Sequence, residues 1–192
     1  YCLGLNLHKV TSTTQIVTLV KEEVLRITGR GERLNTIIVD EPGIGGGVID
    51  QLRAENLPVT PYNGGWPLRV GVDPADDIRM FANRRARDWW NVRRQIEQRR
   101  LPLPDDEVLL AQLTTLKFRY RTGDQKIVCE SKEDLKDRLG KEASPDRADV
   151  IVMGTCPWYE AAAVHGSLSE DDVDFGEVGD REFADGNMQL IL

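Results

Sequence analysis

Three aspartates occupy positions where carboxylates often bind metal ions. Asp40 ends the short apolar run of residues 34–39, which is typical of a β-strand, and the carboxyl end of a strand is where α/β sheets place their sites. Asp146 and Asp149 are three residues apart in "SPDRADVIV", so in a helix they lie on one face. Carboxylates that converge from a strand end and a helix could hold Mg²⁺ or Mn²⁺ and support two-metal hydrolysis of a phosphodiester.

The same acids also have a purely structural interpretation, which the sequence leaves open. Acids are favourable in the first turn of a helix because of its dipole, and Asp40 can cap the helix that follows it. The glycine loop "GIGGG" after Asp40 does not fit nucleotide binding, because a P-loop would have Lys and Ser or Thr where Val48 and Ile49 stand. Two acids before the loop also oppose phosphate. We therefore interpret the glycines as a sharp turn, with Glu41 directed away from the site.

Basic side chains form a second candidate site, for the phosphate backbone of a nucleic acid. The segment "FANRRARDWWNVRRQIEQRR" is rich in arginine, whereas we expect its two tryptophans to belong to the core. A predicted hairpin strand alternates basic residues on one face. Such cations can track phosphates and release counterions, and the alternative is a solvated face. The candidate DNA-binding residues are Arg84, Arg85, Lys117, Arg119, Arg121, Lys132, Arg138 and Lys141.

Strands and helices alternate in the part of the chain that must position Asp40. The patterns predict a strand over 1–10, a helix over 12–28, a strand over 34–39, a helix over 44–56 and a strand over 57–63. This order predicts an α/β domain with at least one right-handed parallel crossover. Beyond the loop of residues 64–77 we expect a helix over 78–100, a helix opened by Pro104 and Asp105, a hairpin over 116–130, a short helix or loop after it, and a helix capped by Ser144.

Charge is distributed unevenly along the 192 residues. The net charge is −7, and residues 166–192 carry eight acids and one arginine, so the rest is neutral. We expect a domain over 1–165 and a disordered acidic tail over 166–192. No apolar run approaches the roughly 20 residues that cross a bilayer, and no signal peptide is visible. Three distant cysteines fit a reducing compartment. The opening "YCLGLNLHKV" suggests a fragment of a longer protein.

Four blocks in order resemble the nuclease domain of the tailed-phage terminase large subunit. They are "IIVDEPGIGGGVIDQLRAENLPVTPYNGG", "FANRRARDWWNVRRQI", "LPLPDDEVLLAQLTTLKFRY" and "ESKEDLKDRLGKEASPDRADVIVM". The resemblance implies a ribonuclease H-like fold, with a mixed central sheet flanked by helices. It implies an endonuclease that uses two Mg²⁺ or Mn²⁺ ions to cut concatemeric DNA during genome packaging in the host cytoplasm. The implied partners are double-stranded DNA, the portal protein, the small terminase subunit and an ATPase motor domain, with no membrane.

The resemblance also assigns the acids. Asp40 matches the acid at the end of the family's fourth strand, and Asp146 and Asp149 match its "SPDxAD" helix start, with Asp149 preferred as ligand. The family has a further Asp on its first strand. Either Asn6 stands at that position, or residues 12–28 form the crossover helix and the first two strands precede this chain, which we favour. Because that Asp is not seen, the rival hypotheses are a non-catalytic DNA-binding or assembly module, or another ribonuclease H-like nuclease such as a resolvase or transposase.

Overall fold

The structure, a computed structural model, describes residues 5–10, 12–141, 143–155 and 187–191. The chain divides into two compact units, which we call the helical unit, Tyr1–His8 with Asn63–Cys156, and the sheet unit, Lys9–Tyr62 with Pro157–Leu192. The elements in chain order are α1 (Thr13–Gly29), β1 (Arg33–Asp40), α2 (Gly45–Ala54), β2 (Val59–Tyr62), α3 (Ala75–Met80), α4 (Arg84–Glu97), α5 (Glu107–Thr115), β3 (Phe118–Tyr120), β4 (Ile127–Cys129), α6 (Lys132–Leu139), α7 (Asp146–Gly154) and β5 (Asn187–Ile191).

The sheet unit confirms the predicted α/β pattern. Its described strands lie in the order β2-β1-β5, and β1 runs parallel to both neighbours. The chain passes from β1 to β2 through α2, which is the expected parallel crossover. Pro61 lies in β2, where its missing N–H is tolerated because β2 is at an edge of the described sheet. We predicted a mixed sheet, but the strands described in this sheet are all parallel.

Apolar packing holds the sheet unit together. Ser12 caps α1 by accepting a hydrogen bond from the Gln15 N–H at 3.3 Å, so this helix begins where the sequence indicated. The buried core of the unit is formed by Val17, Val20, Ile37, Val39, Val48, Ile49, Leu52 and Val59. All of these side chains are aliphatic, so non-directional burial supplies most of the stability of this unit.

The helical unit corrects two predicted elements. The helix expected over 78–100 is broken into α3 and α4, because Phe81 is extended and buried against Ile127 and Asn83 caps α4. The strand expected over 1–10 is wrong for residues 5–10, which form no regular element. Leu5 instead packs against the apolar core of the helical unit, so burial of this side chain outweighs the local strand pattern.

Other boundaries shift by a few residues. Asp106 caps α5, two residues after the predicted start at Pro104. The expected Ser144 cap of α7 is wrong: Pro145 holds that position, and the Ser144 hydroxyl donates to the Asp146 carboxylate instead. The hairpin is confirmed as the antiparallel pair β3–β4, and the segment after it is the helix α6.

The predicted tail over 166–192 is wrong in one part, because residues 187–191 form β5 beside β1. Residues 166–186 of that tail lie outside the described residues. The boundary at residue 165 stays a prediction. None of the helices in the described part of the chain is both long and apolar enough to cross a membrane.

Candidate active site

Asp40 is placed by the backbone of the sheet unit. It is the last residue of β1, is exposed, and pairs with Tyr62 of β2. The chain then turns so tightly that a Cβ on Gly45 would lie 1.8 Å from the Asp40 carbonyl oxygen. Gly43 adopts a φ of +73° in the same turn, a conformation that favours glycine. These contacts agree with our interpretation that the glycines form a sharp turn that starts α2 against the strand end.

Asp149 is placed by side chains of the helical unit. Its Oδ1 accepts a hydrogen bond of 3.1 Å from the Trp89 indole Nε1–H and lies 3.7 Å from the Arg85 Nη2. Its Oδ2 lies 4.0 Å from the Lys132 Nζ. Only about a quarter of the side chain is exposed. Two cations and an indole N–H therefore surround one partly buried carboxylate in the first turn of α7.

Opposing influences act on the ionisation of Asp149. Burial is the largest influence and raises the pKa of Asp149, whereas Arg85, Lys132 and Trp89 all lower it. The neighbouring Asp146 carboxylate raises the pKa further. Asp149 therefore keeps its proton to a higher pH than an ordinary aspartate does.

Arg85 is held against Asp149 by a second group of residues. Its Nη1 donates to the Glu130 carbonyl oxygen at 3.0 Å, and its buried Nη2 makes no hydrogen bond. The Glu130 carboxylate accepts from Arg138 Nε at 2.8 Å and from Arg138 Nη2 at 2.6 Å. Arg138 also donates to the Thr115 carbonyl oxygen, and its guanidinium lowers the pKa of Glu130. The bidentate pair thus fixes the backbone that orients Arg85.

The candidate DNA-binding residues separate into two groups. Arg84 is buried, with its guanidinium 5.0 Å from the centre of the Trp66 ring, so its assignment to DNA is withdrawn. Arg85 and Arg138 are partly buried and engaged with protein groups. The exposed candidates are Lys117, Arg119, Arg121, Lys132 and Lys141. Three of them face carboxylates, Arg119 with Asp134, Arg121 with Asp124 and Lys132 with Asp149, but all five are exposed, and their assignment to DNA stays a prediction.

The residues of the helical unit do not by themselves fit a metal centre. Asp146 and Asp149 are two carboxylates, and the oxygens of Asp149 already face a hydrogen-bond donor and two cations. Within the described part of the chain, no group of three or more His, Cys, Asp or Glu side chains is placed to hold a metal ion. Asp40 belongs to the sheet unit, so its convergence with Asp149 stays a prediction.

Sequence reasoning missed Trp89, which contacts Asp149, and Glu130, which contacts Arg85. Trp89 was assigned to the core, where it does lie, but its N–H also binds the carboxylate. Glu130 was not among the predicted site residues, although its carbonyl oxygen accepts a hydrogen bond from Arg85. A signal for Trp89 was present: Arg85 and Trp89 are four residues apart in one helix and so share a face. Nothing in the sequence marks Glu130.

The fold and these sites define a mixed α/β protein with a carboxylate at a parallel strand end and another at a helix start. No protein-family model matches the sequence, and no curated protein gives a significant match. Among solved structures, the chain is similar to the nuclease domain of the large terminase subunit gp2 of bacterial virus Sf6. The identity is 19% and the TM-score 0.53, over 76% of this chain and 71% of that chain. The resemblance predicted from four sequence blocks is thus confirmed at the level of the fold.

Proposed function

We propose that this chain is a nuclease domain of the terminase large-subunit type, which hydrolyses phosphodiester bonds of double-stranded DNA. The observation that carries the proposal is the fold shared with a terminase nuclease domain. The positions of Asp40 at a strand end and Asp149 in a helix's first turn are consistent with it. Fold alone does not define an activity, so the proposal depends on these carboxylates and must be tested on them.

The proposal assigns Asp40 and Asp149 as metal-binding carboxylates and Asp146 as an auxiliary one. Mg²⁺ and Mn²⁺ prefer such oxygen ligands, and a bound metal would supply Lewis acidity toward a phosphate. The exposed cations of the helical unit, Lys117, Arg119, Arg121, Lys132 and Lys141, would contact the DNA backbone. We further propose the packaging role, with the portal protein, the small terminase subunit and an ATPase motor domain as partners in the host cytoplasm.

Nicking of supercoiled plasmid DNA tests the proposal. The wild-type chain is incubated with Mg²⁺, with Mn²⁺ or with a chelator, beside Asp40→Asn and Asp149→Asn. We expect metal-dependent nicking that falls by more than about 100-fold in either variant. Loss of a residue that hydrogen-bonds a metal ligand typically lowers activity about 10- to 100-fold, and loss of the ligand itself should lower it further. Asp50→Asn is the matched control, since Asp50 is an exposed acid on α2. Nicking that persists in both site variants would place the active site elsewhere.

One observation favours a second function, a DNA-binding or assembly module without catalysis. Asp149 is surrounded by cations, and no metal-binding group of three residues occurs in the described part of the chain. This alternative predicts that the wild-type chain binds DNA but nicks no plasmid under any metal. It also predicts that Mn²⁺ binding to Asp149 is undetectable by calorimetry. The heats measured for the wild-type chain and for Asp149→Asn should therefore be the same. Metal-dependent nicking by the wild-type chain would exclude it.

A further inference from the structure

Two cations lie beside the Asp149 carboxylate, and the protein holds them in different ways. The Nη2 of Arg85 is buried, and its Nη1 donates to the Glu130 carbonyl oxygen at 3.0 Å. Lys132 is 51% exposed, and its Nζ lies 4.0 Å from the Asp149 Oδ2. Arg85 is therefore fixed behind the carboxylate, whereas a molecule that arrives from solvent can reach Lys132.

The ammonium of Lys132 has N–H donors to offer. Its distance of 4.0 Å from Asp149 is too long for a hydrogen bond. Among the residues that the structure describes, none accepts a hydrogen bond from this ammonium. The other oxygen of Asp149, by contrast, accepts from the Trp89 Nε1–H at 3.1 Å. The carboxylate is thus oriented from its buried side, and the three N–H groups of Lys132 are not used to hold it.

The stability of helix α6 does not account for a lysine at this position. Lys132 is the first residue of α6, directly after the Ser131 cap, whose hydroxyl accepts from the Asp134 N–H at 3.0 Å. A cation is unfavourable at the positive end of a helix dipole, and Glu133 and Asp134 already supply the favourable acids. The observed contact of the Lys132 ammonium is with Asp149 on α7, so its placement serves the surroundings of Asp149.

The charges around Lys132 are balanced. Arg85 and Lys132 face the Asp149 carboxylate, and Asp146 lies three residues before Asp149 on the same face of α7. This group therefore lacks the excess positive charge of a surface that attracts DNA, and it should add little to DNA affinity. An N–H donor in such a place acts instead on the negative charge that develops on a phosphate as it reacts.

We infer that Lys132 is a catalytic residue, whose ammonium donates a hydrogen bond to a nonbridging oxygen of the phosphate that is hydrolysed beside Asp149. The inference rests on the proposed function and deepens it, because it distinguishes Lys132 from exposed cations that only track the DNA backbone. A phosphate that reacts beside Asp149 lies within reach of the flexible Lys132 side chain. Arg85 is a positioning residue, since it is held behind the carboxylate.

Cleavage of a labelled duplex at saturating DNA, together with its binding followed by fluorescence anisotropy, tests the inference. We expect Lys132→Ala to lower kcat about 100-fold or more, while KM and DNA affinity stay close to those of the wild-type chain. Lys132→Arg keeps a positive charge and N–H donors, so it should recover part of the loss. Lys136→Ala is the matched control, because it removes the same exposed charge from α6 and should preserve kcat.

Phosphorothioate duplexes distinguish contact with the phosphate from an effect through Asp149. In these duplexes sulfur replaces one nonbridging oxygen, in the Rp or the Sp configuration, and sulfur accepts hydrogen bonds more weakly than oxygen. With Mn²⁺ as the metal, we expect the wild-type chain to cut one of the two forms more slowly because of the lost hydrogen bond. Lys132→Ala has no such bond to lose, so that slowing should disappear in this variant and remain in Lys136→Ala.

The outcomes separate this inference from the proposed function. A wild-type kcat in Lys132→Ala overturns the inference and leaves the proposed function standing, even if DNA affinity and its salt slope fall. Slowing by sulfur that persists unchanged in Lys132→Ala also overturns it, because the lysine would then act only through Asp149. A wild-type chain that cuts DNA with neither Mg²⁺ nor Mn²⁺ overturns both. Circular dichroism checks that each variant is folded.

Discussion

Asp40 and Asp149 are positioned by different means. In the sheet unit, parallel strand register and the close approach of Gly45 fix the backbone at Asp40. In the helical unit, Asp149 is oriented by the side chains of Trp89 and Arg85. A site built on backbone tolerates exchange of neighbouring side chains, whereas a site built on side chains depends on each of them. The two carboxylates should therefore respond to different substitutions.

The cores of the two units also differ in the kinds of side chain that they bury. The core of the sheet unit is aliphatic, whereas the helical unit buries charge. Arg87 forms ion pairs with Asp73 and Asp88, and all three side chains are at most 2% exposed. Buried charges are destabilising when one partner is removed, because the others remain without water or a counterion. Both units therefore have apolar cores, but the helical unit also contains a buried charged network that must stay complete.

Removing the central charge of that network should produce the largest effect. Arg87→Leu removes a buried cation that pairs with both Asp73 and Asp88, and we expect the helical unit to lose about 3–5 kcal/mol of unfolding free energy. Urea unfolding followed by circular dichroism measures it. Arg94→Leu on the exposed side of the same helix is the control and should change stability by less than about 0.5 kcal/mol. Equal stability of Arg87→Leu and the wild-type chain would remove the contrast between the two cores.

A methyl group on the glycine turn should disturb Asp40 through the backbone. Gly45→Ala places a Cβ on the Asp40 carbonyl, so the strand end or α2 must move, at a cost of about 1–3 kcal/mol or more. Gly46→Ala is the matched control, because a Cβ there meets nothing within 4 Å. We expect it to preserve stability or raise it by up to about 1 kcal/mol. Thermal unfolding of both variants checks this, and an unperturbed Gly45→Ala would show that the turn is not tight.

Removing the donor at Asp149 should give the smallest change in stability. Trp89→Phe keeps an aromatic ring in the core but deletes the N–H to Asp149, so we expect a loss of about 1–2 kcal/mol. If Asp149 is catalytic, nicking should fall by about tenfold to a hundredfold. The control is Trp90→Phe, which retains ring packing at a position with no indole hydrogen bond in the described part of the chain. Equal nicking by the two variants would mean that Trp89 does not orient Asp149.

Local patterns predicted much of the fold. The helix start at Ser12, the strand ending at Asp40 and the hairpin over 116–130 follow from caps, alternation and turn residues, which act over a few neighbours. The predictions failed where distant contacts decide. Phe81 interrupts a helical pattern because its ring is buried beside Ile127, and residues 187–191 of the acidic tail form a strand because β1 offers an edge.

The sequence by itself determined that Asp40 ends a strand, that Asp149 lies in the first turn of a helix, and that the chain resembles a terminase nuclease. Spacing and local propensity are sufficient for these conclusions. Only the tertiary structure decided that Arg84 is buried, and that Arg85 and Trp89 face Asp149 while Tyr120 faces solvent. The physical reason is that the direction and burial of a side chain depend on residues far along the chain, such as Glu130 behind Arg85.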